Sequence, residues 1–211
     1  MTFELHIRHS RRARRARIVV APFAPVEVVV PAGTPHRWVE RFVGEHRGWI
    51  ERRLERLAEA PRLGLDRPDV AWIGGRPVAR PHTDLERWYR ARARRAVTET
   101  LAHESARLGI AGWRRVRIGD QRTRWGSCSA RGTLSFSWRL VMAPPEVLGY
   151  VVVHELCHIR HLNHSPAFWK LVADACPDHR ASQAWLRRHG GELLAYRPTA
   201  MSSPARCLPA R

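Results

Sequence analysis

Residues 154–164, HELCHIRHLNH, place four histidines and one glutamate within eleven positions. His154 and His158 are four residues apart, so on a helix they project from one face, about 6 Å from each other. That separation lets two imidazoles bind one zinc ion at about 2.0–2.1 Å each. Glu155 lies about 100° around the helix from His154. Its carboxylate is therefore outside the coordination direction, where it can act as a general base towards water beside the metal.

His161 and His164 are both candidates for the third metal ligand. If the helix continued unbroken, His161 would lie about 10 Å along the axis from His154, too far to close a tetrahedral site. Ser165 and Pro166 form a helix-start signal, a capping hydroxyl followed by proline, so one helix ends and another begins before them. We therefore predict that the connector swings His164 back over the first helix to complete a single zinc site.

Three histidine ligands indicate a catalytic zinc rather than a structural one. Structural zinc sites fill all four positions and favour cysteine, whereas three histidines leave one position for water. Cys157 precedes His158 directly and points elsewhere on the helix, so we interpret it as a packing residue. The alternative is a chance H-E-x-x-H in a chain with twelve histidines. Imidazole ligands favour zinc and are compatible with cobalt, nickel or manganese.

Helices and strands must position these residues. Pro144 and Pro145 open the helix that carries the motif. Apolar residues at three- and four-residue spacing predict two further long helices, one over 36–60 and one over 83–108 that ends at Gly109. Alternating apolar residues predict strands at 3–9, at 17–30 with a turn at 22–25, at 115–118 and at 133–141, and a hairpin at 72–78. Residues 121–132 are predicted to be a loop or an irregular strand.

The charge of the chain is strongly basic. It carries 37 basic and 19 acidic residues, a formal net charge of +18, and every basic residue except Lys170 is an arginine. Such a field attracts phosphate groups, so a nucleic acid or a nucleotide is a candidate partner. The densest run, RRARRAR at 11–17, lies between two predicted strands. The arginines are otherwise spread along the whole chain, which is equally compatible with a solvated basic surface.

Hydropathy and cysteine usage indicate the cellular compartment of the protein. The longest clean apolar run, 147–153, is far shorter than the roughly 18–20 residues that span a bilayer. The N-terminal segment has charges where a signal peptide needs an apolar stretch. The four cysteines show no paired spacing and are interpreted as reduced thiols. We expect a cytoplasmic protein without a membrane partner.

Two segments carry a resemblance to a known family: RWGSCSARGTLSFSWRLVMAPPEVLGYVVVHELCH and HLNHSPAFW. Together they resemble the YgjP-like metallopeptidases, relatives of the SprT-like zinc proteases, over roughly residues 8–196. The resemblance implies an α+β fold: a zincin-like metallopeptidase domain, with a mixed or antiparallel sheet beside the HExxH helix. It also implies an N-terminal β-rich extension with long helices. We expect an extension at 1–82, the metallopeptidase domain at 83–196 and a disordered tail at 197–211.

The resemblance implies zinc at His154, His158 and His164, and hydrolysis of peptide bonds in a protein or peptide substrate. Glu155 would remove a proton from water and pass it to the leaving amine. The oxyanion of the intermediate needs a further partner.

Candidates for oxyanion or substrate binding are Arg124, Tyr150 and His161, while burial beneath the metal helix is the alternative for Tyr150. A peptide is expected to add as a strand to a sheet edge, offered by residues 133–140 or by the segment around Trp125. Trp125 is equally compatible with a core position.

Two other functions remain open. A metal-activated water beside a basic surface could attack a phosphoanhydride, which would make the protein a nucleotide hydrolase. Alternatively, the chain could be a basic nucleic-acid-associated domain whose metal only holds the fold.

Overall fold

The computed structural model describes residues 3–20, 25–59, 63, 65 and 67–198. By packing, the chain divides into two compact units, one of residues 1–63 and 187–195 and the other of residues 64–186 and 196–211. The predicted division at residues 82 and 83 stays a prediction. The predicted tail lies outside the described residues except for Arg197 and Pro198.

A three-stranded sheet forms the β-rich part of the first unit. Its strands are β1 (Leu5–Ser10), β2 (Arg17–Val19) and β3 (Val26–Pro31). β3 is central, parallel to β1 and antiparallel to β2. Val28 and Val30 are fully buried against Val39. The segment predicted at 17–30 contains one strand on each side of the predicted turn at 22–25, and most of that turn lies outside the described residues.

The helix predicted over 36–60 is two helices, α1 (His36–Glu45) and α2 (Arg47–Glu59). The break falls at His46, whose backbone leaves helical geometry with φ −102° and ψ 3°. The imidazole Nδ1 of His46 lies 2.8 Å from the carbonyl oxygen of Phe42, which its own backbone N–H also contacts. Gly44 and Gly48 on either side lower the helix propensity further, so the periodicity continues while the helix does not.

The second unit begins with the predicted hairpin, β4 (Val70–Ile73) and β5 (Arg76–Ala79). Gly74 and Gly75 have φ of 61° and 77°, the left-handed conformation that a two-residue hairpin turn needs. Their backbone N–H groups donate to the carbonyl oxygens of residues 141 and 142, each at 2.9 Å. The tip of the hairpin is therefore bonded to the segment that precedes the HExxH helix.

Helix α3 (Leu85–Leu108) matches its predicted bounds closely. The Asp84 carboxylate caps it by accepting from the backbone N–H of Arg87 at 2.7 Å. Gly109, with φ 58°, ends it in the left-handed conformation. Tyr89, Ala93, Val97 and Leu101 form its buried face at four-residue spacing.

A second three-stranded sheet lies in this unit: β6 (Arg115–Gly119), β7 (Gly126–Cys128) and β8 (Thr133–Ser137). β8 is central, parallel to β6 and antiparallel to β7, so the sheet is mixed. The prediction that residues 133–140 could offer a peptide-binding edge is therefore wrong, because β8 has a partner on both sides. Among the described residues, β7 pairs with β8 alone and leaves its other side open.

The strand predicted over 133–141 ends at Ser137 and continues as a 3₁₀ helix, Trp138–Met142. All five residues of this helix are buried, including Arg139. The Arg139 guanidinium forms an ion pair with Asp120 and donates to the Tyr196 carbonyl oxygen at 2.8 and 3.0 Å. The carbonyl oxygens of residues 141 and 142 accept from the hairpin tip, a tertiary contact that the strand pattern could not predict.

Three helices complete the fold: α4 (Pro145–Cys157), α5 (Pro166–Ala175) and α6 (His179–Ala195). α4 is buried on most of its surface and packs in the main core with Leu101, Phe136 and Val172. The predicted α+β class, with a mixed sheet and the HExxH helix, is confirmed. In the part of the chain that the structure describes, no helix combines the length and the apolar character needed to cross a bilayer.

Candidate metal centre

The three histidines predicted as ligands lie together at the C-terminal end of α4. His154 is in the last turn, His158 follows the helix directly and His164 comes from the connector to α5. One nitrogen from each ring lies within 4.8 Å of the other two. Nε2 of His154 and Nε2 of His164 are 3.1 Å apart. Two imidazoles on a tetrahedral zinc at 2.0–2.1 Å would be about 3.3 Å apart, so the arrangement fits one ion of that size.

The chain folds this way because α4 stops at Cys157 and α5 starts at Pro166. Ser165 caps α5 by accepting from the backbone N–H of Phe168 at 3.3 Å, as the helix-start signal predicted. Residues 158–165 therefore reverse the chain, and His164 returns to the end of the helix that it left.

Hydrogen bonds behind two of the rings orient them. Nδ1 of His158 donates to the carbonyl oxygen of His161 at 2.9 Å, which turns its Nε2 towards the cluster. Nδ1 of His154 lies 3.5 Å from the Tyr150 hydroxyl, and that hydroxyl accepts from the Gln183 amide at 3.0 Å. Such contacts fix the tautomer and orientation of metal-binding imidazoles.

Burial favours the neutral form of two of the imidazoles, which is the form that binds a metal. Burial lowers the pKa of His154 to about 4, and the neighbouring His158 and His164 add to this. Burial also lowers the pKa of His158, partly opposed by its bond to the His161 carbonyl. At neutral pH these two imidazoles therefore keep a lone pair free for a cation.

Glu155 is buried on α4, on the side that meets β7. Burial raises the pKa of its carboxyl group to about 7, and the Arg124 guanidinium partly opposes this by lowering it. A Cβ atom built on Gly126 would lie 2.5–2.8 Å from Cγ, Cδ and Oε1 of Glu155. The carboxylate therefore occupies space that exists because residue 126 has no side chain.

Two aromatic side chains of α5 form a wall around the histidines. The Phe168 ring is fully buried and stacks on His158 at 4.4 Å between centroids, with its edge towards His154 and His164 at 4.9 Å. The Trp169 ring stacks on His164 at 5.6 Å. This wall restricts where the imidazoles can turn.

The residues predicted to bind substrate differ in their burial and in the groups that they contact. Arg124 is exposed and acts electrostatically on Glu155. Trp125 is half-buried and packs against the main core. Tyr150 is buried behind His154, which favours a role in positioning that ring over oxyanion binding. His161 contributes its backbone carbonyl to the site.

Four further residues of the site were not predicted from the sequence: Gly126, Phe168, Trp169 and Gln183. A glycine inside a short strand is a signal of close approach, and this signal could have identified Gly126. The helix start at Ser165 put Phe168 and Trp169 in the first turn of α5, next to His164. Gln183 lies on α6, 29 positions after His154, and no local pattern connects the two.

Comparison with known proteins gives one family match. The sequence model of the family described as YgjP-like, metallopeptidase domain, matches residues 74–189, more than half of the chain.

Among solved structures, the chain is similar to the metallopeptidase zymogen abylysin of Pyrococcus abyssi. The identity is 27% and the TM-score 0.40, over 44% of this chain and 92% of that one. It is also similar to the zymogen jannalysin of Methanocaldococcus jannaschii, with 20% identity and a TM-score of 0.37 over 42% and 94%. No curated protein matches. On the strength of the family match, the chain belongs to the YgjP-like metallopeptidases.

Proposed function

We propose that the protein is a zinc-dependent peptidase in which His154, His158 and His164 hold one zinc ion and Glu155 is the general base. The observation that carries the proposal is the convergence of the three ligand nitrogens within 4.8 Å. Three imidazole ligands suit zinc among the common divalent ions and leave a coordination position for solvent or substrate.

A zinc ion held there supplies a Lewis acid that polarises the scissile carbonyl and makes water a better nucleophile at neutral pH. Glu155 removes a proton from the attacking water and delivers it to the nitrogen of the leaving amine. Its burial against Gly126 keeps the carboxylate in one place, which general-base catalysis needs. Arg124, close enough to act on this carboxylate, favours its ionised form.

The open side of β7 supports substrate binding as an added strand. The carbonyl oxygen of Trp125 accepts from Ser137 and the backbone N–H of Ser129 donates to Thr133, both across to β8. Because bonded and non-bonded residues alternate in an antiparallel pair, the backbone groups of Gly126 and Cys128 point to the other side. An extended peptide bonded there would pass next to Glu155, which lies against Gly126.

The variant Glu155→Gln tests this proposal. We expect it to retain zinc and thermal stability and to lose hydrolysis of unfolded protein substrates by about 10²–10⁴-fold in kcat, because the amide cannot accept the proton. Glu146→Gln is the matched control, an exposed glutamate on the same helix, and should keep full activity.

Metal content, melting temperature and product formation are measured for wild type and both variants. Nucleoside triphosphates are offered in parallel. Peptide hydrolysis retained by Glu155→Gln would contradict the role of Glu155. Turnover of a triphosphate without turnover of any peptide would contradict the substrate class.

A further inference from the structure

A cleft of about 440 Å³ lies beside the metal centre, lined by Trp169, Lys170, Ala173, His179, Arg180 and Gln183. Trp169 belongs to both places. Its ring stacks on His164 at 5.6 Å between centroids and approaches His179, on the cleft side, at 6.4 Å. Gln183 also belongs to both, since its amide bonds to the Tyr150 hydroxyl behind His154. The cleft and the metal centre are therefore neighbouring sites that share Trp169 as a wall.

The lining of the cleft is cationic. Lys170 and Arg180 carry positive charge, and no carboxylate is among the lining residues. Lys170 is held at 2.9 Å by Asp174, which is outside the lining. Arg180 is exposed, and its guanidinium has no ion pair or hydrogen bond with any of the described residues. A guanidinium offers five N–H donors in a fork that matches a carboxylate, so Arg180 is the group best suited to bind one here.

We propose that this cleft is a specificity pocket for the peptidase reaction, which receives an acidic side chain of the substrate close to the bond that is cut. Trp169 forms the wall shared with the metal centre and packs on the aliphatic part of that side chain, while Arg180, with Lys170, binds its carboxylate. The inference rests on the proposed function and adds a substrate preference to it.

Binding is tested on zinc-loaded Glu155→Gln, which should hold peptides without cutting them. The probes are three capped peptides that differ at one central position, glutamate, glutamine or lysine, and calorimetry gives their affinities. An exposed ion pair of this kind should favour the glutamate peptide over the glutamine peptide by about fivefold. Adding Arg180→Glu should abolish that preference and favour lysine. Arg94→Glu, the same change at an exposed α3 position outside the cleft, should leave it unchanged.

Cleavage is tested by mapping the products of a denatured protein mixture by mass spectrometry for wild type, Arg180→Glu and Arg94→Glu. We expect wild type to cut with Asp or Glu enriched at one fixed position near the cut, and Arg180→Glu to lose this enrichment. Cleavage without acidic enrichment would overturn the pocket and leave the peptidase function intact.

The binding and cleavage experiments together also reveal the opposite case, in which the pocket is correct and the peptidase function is not. If wild type cuts no peptide while the glutamate peptide still binds more tightly in an Arg180-dependent way, the peptidase function fails and the pocket stands. Equal affinity for the glutamate and glutamine peptides would overturn the pocket whatever the cleavage result. ATP is included as a further probe, and Arg180-dependent binding of ATP that exceeds that of every peptide would assign the cleft to phosphate groups instead.

Discussion

Among single residues, the pair Gly126 and Glu155 has the most direct consequence for activity. The Glu155 carboxylate occupies the space that a side chain at residue 126 would take. The nearest atoms to a Cβ at Gly126 all belong to Glu155, at 2.5–2.8 Å, so any other residue displaces the carboxylate. H-E-x-x-H spacing predicted the role of Glu155, but not what holds it. That depends on the approach of β7 to α4, a contact between segments nearly 30 positions apart in the chain.

Gly126→Ala should therefore lower activity without removing the metal. A misplacement of about 1 Å can cost about 10²-fold in rate, so we expect kcat to fall by roughly that factor while zinc content stays the same. Steady-state kinetics and elemental analysis measure both. Gly149→Ala is the matched control on α4, since a Cβ there meets nothing within 4 Å. Full activity of Gly126→Ala would mean that Glu155 does not need this position.

From the sequence, Tyr150 was either an oxyanion-binding residue or a residue buried beneath the metal helix, and the structure adds a candidate role in positioning His154. Its hydroxyl lies 3.5 Å from Nδ1 of His154, on the side of the ring away from Nε2. If it positions this imidazole, Tyr150→Phe should weaken zinc binding by about tenfold, the lower end for groups that orient metal ligands. Competition with a chromogenic chelator gives the affinity. Unchanged zinc affinity together with a lower kcat would assign Tyr150 to the oxyanion instead.

Among helices and strands, sequence signals predicted the structure correctly where residues within the same segment determine it. The cap at Asp84 and the left-handed Gly109 bound α3 as predicted, and Gly74-Gly75 made the predicted hairpin. Predictions of helix and strand bounds were wrong where other hydrogen bonds compete with those of the predicted element. A side chain at His46 interrupts a helix whose periodicity continues, and tertiary bonds of residues 138–142 replace the end of a predicted strand.

The 3₁₀ helix should depend on the ion pair between Arg139 and Asp120. Removing the carboxylate leaves a buried guanidinium without a charged partner, so Asp120→Asn should lower the free energy of unfolding by about 2 kcal/mol at pH 7. Asp69→Asn is the control, because the Asp69–Arg67 pair is exposed, and no measurable change is expected.

The effect of Asp120→Asn should also depend on pH. Burial raises the pKa of Asp120, but the hydrogen bonds and charges of Arg139 and Arg122 outweigh it and hold the pKa below its ordinary value. A carboxyl group whose pKa is lower in the folded state stabilises the fold above its unfolded pKa, about 3.9, and loses this as pH falls. In urea titrations the gap between wild type and variant should be constant above about pH 5 and shrink below about pH 4. A gap that persists unchanged at low pH would mean that the charge is not the cause.

For the whole molecule, the fold class and the HExxH motif could be predicted from the sequence, but the binding partners of the surface could not. The net charge of +18 made nucleic acid a candidate partner, and that hypothesis stays a prediction. Most of the side chains at 11–17 are exposed in the segment between β1 and β2, as a binding surface or a solvated one would be. The cationic cleft near the metal was not predictable, because it joins residues of α5 and α6 that no spacing rule links to the HExxH helix.

Anomalous diffraction at the zinc absorption edge, measured from crystals of the zinc-loaded protein, shows whether the three histidines hold one metal ion. We expect one strong peak per chain, about 2.0–2.1 Å from one ring nitrogen each of His154, His158 and His164. A peak at other residues, or one bound by His154 and His158 with His164 turned away, would contradict it.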